Sequence, residues 1–239
     1  LPGLPKDKVG SAADIAFLFK GDTPETGRAL LQDVYADLGC RPIVGIVPNM
    51  RVYERASGSG ATNAYVGLLV STVRHCIECF DCTVVLMPHE IKSRPDSIPD
   101  DRYLCTLIRS QLGAGDPVFC LLGDYSAELL KAVIGNCDLL IGSRFHSLVA
   151  ALSQSVPTVA LGWSHKYSEL MGDVGLEEFA VGFSDVELHQ WLAMLDKAWR
   201  EKTRTQDTLA WRIPELQHSA SRALDRAAQI IMERRRLAG

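Results

Sequence analysis

The feature that most constrains this chain is a succession of short, continuously apolar runs, separated by stretches with helical periodicity. The runs are ADIAFLF (13–19), PIVGIVP (42–48), CTVVLMP (82–88), PVFCLLG (117–123), CDLLIGS (137–143) and VPTVALG (156–162). A strand with one wet face alternates apolar and polar residues; most of these do not, so they suit strands covered on both faces. Helices are expected near 24–38, 61–80, 101–113, 125–135, 144–154 and 165–174. Strand-to-strand connections of that length cross over through a helix and give parallel pairing. The expected fold is therefore α/β: a Rossmann-like parallel sheet with helices on both faces.

Local signals support these boundaries. Asp22-Thr23-Pro24 places a cap and an early proline at a helix start. Asp124-Tyr125-Ser126 and Asp100-Asp101 do the same with acidic or hydroxyl caps that suit the positive helix end. After Gly175 the pattern changes. EEFAVGF reads as a last short strand, and 185–203 and 216–236 read as helices, with Trp191, Trp199 and Trp211 as packing anchors.

Composition narrows the function classes. The chain has 239 residues, 47% of them hydrophobic, enough for a substantial core and too apolar for disorder. It contains no apolar run long enough to span a bilayer. The net charge of -4 argues against nucleic acid as a partner. The charge is uneven: Lys197–Gly239 holds 10 basic and 5 acidic residues. This basic tail reads as a solvated helix face, with an anionic surface or partner as the alternative. The chain opens LPGLPKDKVG, without an initiator Met or a secretory leader, and reads as a trimmed or partial sequence. Of the seven cysteines, Cys76, Cys79 and Cys82 are spaced like the start of an iron–sulfur run. The tight fourth ligand does not follow, so they read as structural thiols, and no metal or cofactor is expected. Free thiols favour a reducing compartment, which points to the cytoplasm, with the basic tail as the feature suited to a membrane surface.

Ligand loops of an open α/β sheet lie at the carboxyl ends of its strands. Asn49–Gly60 and His89–Pro99 are such loops, and both are longer than the core requires. The densest constellation spans Asp138–Glu169. A buried strand runs through Gly142-Ser143 into a helix starting near Arg144, whose free N–H groups and guanidinium suit a carboxylate or phosphate. His146 stands two residues on, able to exchange a proton near neutral pH. The next strand delivers His165 and Lys166 to the same edge, and Glu169 lies one helical turn beyond His165. Read as residues alone, His146 also suits a core histidine, and His165-Lys166 a solvated cap.

The segment GSRFHSLVAALSQSVPTVALGWSHKYSELMGDVGL closely resembles the signature region of the polysaccharide pyruvyl transferase family, and the upstream VVLMPHE fits the same pattern. The resemblance covers most of residues 40–180. It implies one half of a GT-B-like protein, in which two Rossmann-like domains face a cleft, with this chain similar to the C-terminal domain. It also implies transfer of the enolpyruvyl unit of phosphoenolpyruvate to a saccharide or lipid-linked glycan as a ketal, with release of phosphate. On this resemblance Arg144 and Ser143 hold phosphoenolpyruvate, His146 is the general acid, and Arg51 or Arg55 supplies a second anion clamp. His89, His165, Lys166 and Glu169 are further cleft residues. Residues 1–41 would end a largely missing first domain or form a linker, 42–184 the catalytic half-domain, and 185–239 helices packing on or crossing from it. The missing domain, or a second copy, would complete the cleft. Two other readings stand beside this one: a nucleotide-sugar glycosyltransferase-like domain, and a non-catalytic domain that binds a saccharide or a partner.

Overall fold

A computed structural model describes residues 10–35, 38–92 and 100–237. Six strands form one parallel sheet: β1 (Ile43–Val47), β2 (Thr83–Leu86), β3 (Val118–Cys120), β4 (Leu139–Gly142), β5 (Thr158–Gly162) and β6 (Ala180–Gly182). Their spatial order is β3-β2-β1-β4-β5-β6. Five of the six apolar runs thus become strands, and every residue of β1, β2, β4 and β5 is buried, as continuous apolar runs demand. The order reverses between β1 and β4, so a crevice opens at their carboxyl ends.

The run at 13–19 is the exception. It forms a short 3-10 helix at Ile15–Leu18 instead of a strand. Asp14 caps it by accepting from the Ala16 amide at 2.8 Å, and an apolar run without alternation does not distinguish a strand from a buried helical turn. Phe17 enters the core, while Ile15 and Phe19 stay exposed.

Nine α-helices are seen among the described residues. These are α1 (Pro24–Val34), α2 (Met50–Tyr53), α3 (Ala64–Phe80), α4 (Asp101–Arg109), α5 (Ala127–Ile134), α6 (Phe145–Leu152), α7 (Lys166–Asp173), α8 (Leu188–Arg200) and α9 (Lys202–Leu237). The predicted caps form: Thr23, Asp100 and Ser126 each accept a first-turn amide. Helix α1 lies hard against α5. A Cβ on Gly27 would strike the Ala132 backbone, and Asn136 Nδ2 donates to the Pro24 carbonyl at 2.8 Å. On the other side of the sheet, buried Trp191 of α8 donates from Nε1 to Thr72 Oγ1 of α3 at 2.7 Å.

Two helices expected at 185–203 and 216–236 become α8 and the 36-residue α9, which contains Pro214. Up to Ala220, α9 buries Leu209, Ile213 and Ala220, whereas Leu224, Ile231 and Met232 are exposed. Trp199 is half-buried and stacks on Phe80 at 4.6 Å. Trp211 is no packing anchor: it is 62% exposed, with Arg212 over its ring. No described helix is long and apolar enough to cross a membrane.

Candidate functional site

Loops following β1, β2 and β4 meet at the crevice, and one carboxylate joins them. Asp101, in the first turn of α4, is fully buried. Its Oδ1 accepts from the Met50 amide at 3.1 Å and Arg144 Nη2 at 2.6 Å. Its Oδ2 accepts from the amides of Glu90 at 2.8 Å and His89 at 3.3 Å, and from Arg144 Nε at 2.9 Å. Five N–H groups on one carboxylate satisfy a buried charge that would otherwise be prohibitive.

Arg144 is the N-cap residue of α6, and no side chain caps that helix. Its guanidinium is 13% exposed and closes a fork on Asp101, while Nη1 reaches Glu90, which is 47% exposed. Burial opposes the guanidinium charge, but Asp101 and Glu90 outweigh it and hold its pKa above the ordinary value. The backbone beneath is equally committed. The carbonyl of Ser143 accepts from Asn49 Nδ2 at 2.6 Å and from the Tyr167 hydroxyl at 2.7 Å, and its amide donates to Val47 at 2.9 Å. Ser143 itself is buried. A Cβ on Gly142 would come within 2.5 Å of the tip of the Leu148 side chain, which would have to shift.

His146 is exposed on α6 and faces a cleft of about 820 Å³. His89, Asp124, Tyr125 and Lys131 share that cleft, and the 15–18 turn and Leu224 of α9 form its apolar wall. Burial is the largest influence on His89, and the nearby His146 and Arg144 act in the same direction. Together they outweigh Asp101 and lower its pKa to about 4. His89 is therefore neutral at pH 7. Lys131 is buried on α5, donates to the Phe19 carbonyl, and has its pKa lowered by burial.

The remaining expected site residues divide between two other places. Arg51 is exposed and lines a neighbouring pocket of about 210 Å³ with Arg144, Glu54, Glu90 and Asp100. Arg55, also exposed, donates to the Arg51 carbonyl at 2.7 Å and lies over the Trp163 ring at 4.8 Å. A third pocket, of about 330 Å³ at the ends of β5 and β6, includes His165, Ser164 and Asp185. His165, Lys166 and Glu169 are exposed on the first turn of α7, where the Glu169 amide donates to the His165 carbonyl at 3.1 Å. No side-chain bond joins His165 to Glu169 among the described residues. Thus His146 and His89 share one cleft, Arg144 and Arg51 share another pocket, and His165 lines a third. Residues 93–99, the larger part of the expected His89–Pro99 loop, lie outside the described residues.

Sequence reasoning missed two residues. Asp101 read only as a helix cap. Lys131 lies outside the ligand loops, although a lysine inside AELLKAVI is a cation on a mostly apolar helix. Among the described residues no three His, Cys, Asp or Glu side chains converge as a metal site.

A profile of the polysaccharide pyruvyl transferase family matches residues 2–165, more than half of the chain. The amylovoran biosynthesis protein AmsJ of Erwinia amylovora is 22% identical over 192 residues, covering 77% of this chain and 43% of AmsJ. The chain thus spans under half the length of that relative. Among solved structures, E. coli ADP-heptose LPS heptosyltransferase II superposes with a TM-score of 0.54 at 15% identity, covering 84% of this chain and 56% of the other. A UDP-forming α,α-trehalose-phosphate synthase from Burkholderia xenovorans gives 0.54 at 12% identity, covering 86% and 50%. These likenesses establish the fold, one Rossmann-like half of a GT-B architecture.

Proposed function

Because the chain belongs to the polysaccharide pyruvyl transferase family, a group of saccharide-modifying transferases, we propose that it carries the donor half of an enzyme that moves the enolpyruvyl unit of phosphoenolpyruvate onto a saccharide hydroxyl pair. The observation that best supports this is the pairing of His146 and His89 on one cleft, with the His89 amide bonded to the Asp101 carboxylate that holds Arg144.

The chemistry assigns distinct work to each group. One acceptor hydroxyl adds to C2 of phosphoenolpyruvate while His146 delivers a proton to the methylene C3, which becomes the methyl group. The second hydroxyl then displaces phosphate at C2 and closes the ketal. Of the two hydroxyl protons, one is accounted for in the methyl and the other leaves with phosphate, so His146 finishes in its starting state. His89, neutral at pH 7, donates or accepts a hydrogen bond without adding charge. The donor carries about three negative charges, and one cation is sparse neutralisation for it. Lys131 in the cleft, and Arg144 with Arg51 at the neighbouring pocket, supply positive charge. Glu90 is the exposed partner of Arg144, so a donor carboxylate or phosphate can replace it without disturbing buried Asp101.

The test is isotopic. In deuterium oxide, phosphoenolpyruvate and an acceptor glycan should yield a ketal whose methyl group carries one solvent deuterium, together with one phosphate per ketal. His146→Ala should lower the rate by about 10²- to 10⁴-fold. Phosphate release without a labelled ketal, or sugar transfer from a nucleotide sugar instead, would refute the reading.

A further inference from the structure

A second set of reactive side chains lies at the opposite edge of the sheet. Helix α3 runs back from the ligand edge and ends just before β2 begins, so its last turns lie at the amino ends of the strands. There, His75 and Cys79 occupy positions one helical turn apart and face the same way. Cys79 Sγ is 3.7 Å from His75 Nδ1, and His75 Nε2 is 2.7 Å from Asp196 Oδ1 on α8. A carboxylate only accepts, so Nε2 carries the proton and a neutral His75 presents a bare Nδ1 to the thiol. The imidazole is fixed further by the edge of Phe80 at 5.5 Å, and Phe80 stacks on Trp199. Nucleophile, base and orienting carboxylate therefore stand in a row. The three do not converge on one point, which sets them apart from a metal site.

Accessibility separates Cys79 and Cys40 from the other thiols. Cys76, Cys82, Cys105 and Cys137 are buried, and burial pushes Cys82 and Cys137 up to about 12. Cys120 is partly buried and raised to about 11. Cys40 and Cys79 are exposed, and of these two only Cys79 has a histidine beside it.

We propose that Cys79 is a base-assisted thiol and a modification site for small-molecule disulfides. The Cys79 proton passes to His75 Nδ1 as sulfur attacks the nearer sulfur of the disulfide. One S–S bond forms and one breaks, and the departing thiolate takes the proton back from His75. One disulfide is consumed and one mixed disulfide is formed, so no further oxidant is required. An ordinary thiol is only about 3% thiolate at pH 7, which leaves room for a rate gain on the order of tenfold.

The experiment measures second-order rates with dithiodipyridine, read by the absorbance of released thiopyridone, and locates the adduct by peptide mass mapping. Cys79, followed in a Cys40→Ser chain, should react about tenfold faster than Cys40 followed in a Cys79→Ser chain. His75→Ala should bring Cys79 down to the Cys40 rate. Asp196→Asn, which preserves shape, should give an intermediate rate, with circular dichroism showing both variants folded. Glutathione disulfide should then label Cys79 ahead of Cys40. Equal rates at the two cysteines, or a folded His75→Ala chain that reacts as fast as its parent, would overturn the proposal. So would an unaltered rate in Asp196→Asn.

Discussion

Replacing Asp101 by Asn tests how the crevice is held together. The two oxygens of Asp101 receive five N–H groups, two on Oδ1 and three on Oδ2. An Asn side chain must point its own NH₂ at one of those sets, so at least two donors lose their acceptor whichever way it turns. Asp101 is 0% exposed and the Arg144 side chain 13%, so water cannot make good the loss. Breaking a buried pair from one side costs about 3–5 kcal/mol. For a chain of this size, about 3 kcal/mol lowers Tm by roughly 6–12 °C. Urea denaturation followed by circular dichroism reads the loss directly. A cycle with Arg144→Met isolates the pair, because removing both charges relieves the stranded guanidinium. The double variant should therefore be more stable than the two single losses predict, by about 2 kcal/mol. A loss under about 1 kcal/mol, or simple additivity, would refute the view that this one carboxylate fastens three loops.

Three further outcomes follow from the same geometry. His89 has a pKa lowered from 6.5 to about 4, so between those values the unfolded chain binds more protons than the folded one. Its contribution is complete above pH 6.5 and is lost as pH falls toward 4, at most about 3 kcal/mol; denaturation midpoints at the two ends should fall less in His89→Gln than in the parent. Gly27→Ala forces a Cβ into the Ala132 backbone and should cost about 1–3 kcal/mol, read as a shift in Tm. Trp191→Phe removes the buried bond to Thr72 and should cost about 1–2 kcal/mol, whereas Trp211→Phe, on an exposed side chain, should change stability by under about 0.5 kcal/mol.

The parts of the fold that depend on local pattern could be read from the chain directly. Val44, Ile46, Leu140 and Ile141 lie in runs with no polar alternation, and a two-sided parallel sheet is the arrangement that covers them. Thr23, Asp100 and Ser126 declare helix starts through their own side chains. The 13–19 run misleads because its length and apolarity suit either a strand or a helical turn, and Asp14 decides in favour of the turn. The gap expected between 203 and 216 contains Pro214, yet α9 runs through it. In the crevice, Arg144 and His146 are legible because strand, turn and helix follow one another in sequence. Their division between two pockets is not legible. It arises because Asp101 and Glu90, 43 and 54 positions away, hold the guanidinium at the pocket that Glu90 lines. Asp101 stands beside another acid at a helix start, and nothing local distinguishes the cap from the carboxylate that reaches across the crevice.

The donor assignment is tested most directly by calorimetric titration of phosphoenolpyruvate into the chain, with Arg144→Ala, Lys131→Met and His146→Ala variants and a UDP-sugar as competitor. Binding should be saturable and weakened at least tenfold by Arg144→Ala and Lys131→Met. His146→Ala should change it little, since a proton donor contributes in the transition state more than in the bound ground state. Phosphoenolpyruvate binding unaffected by either cation, or displaced by a UDP-sugar that binds more tightly, would contradict the donor assignment.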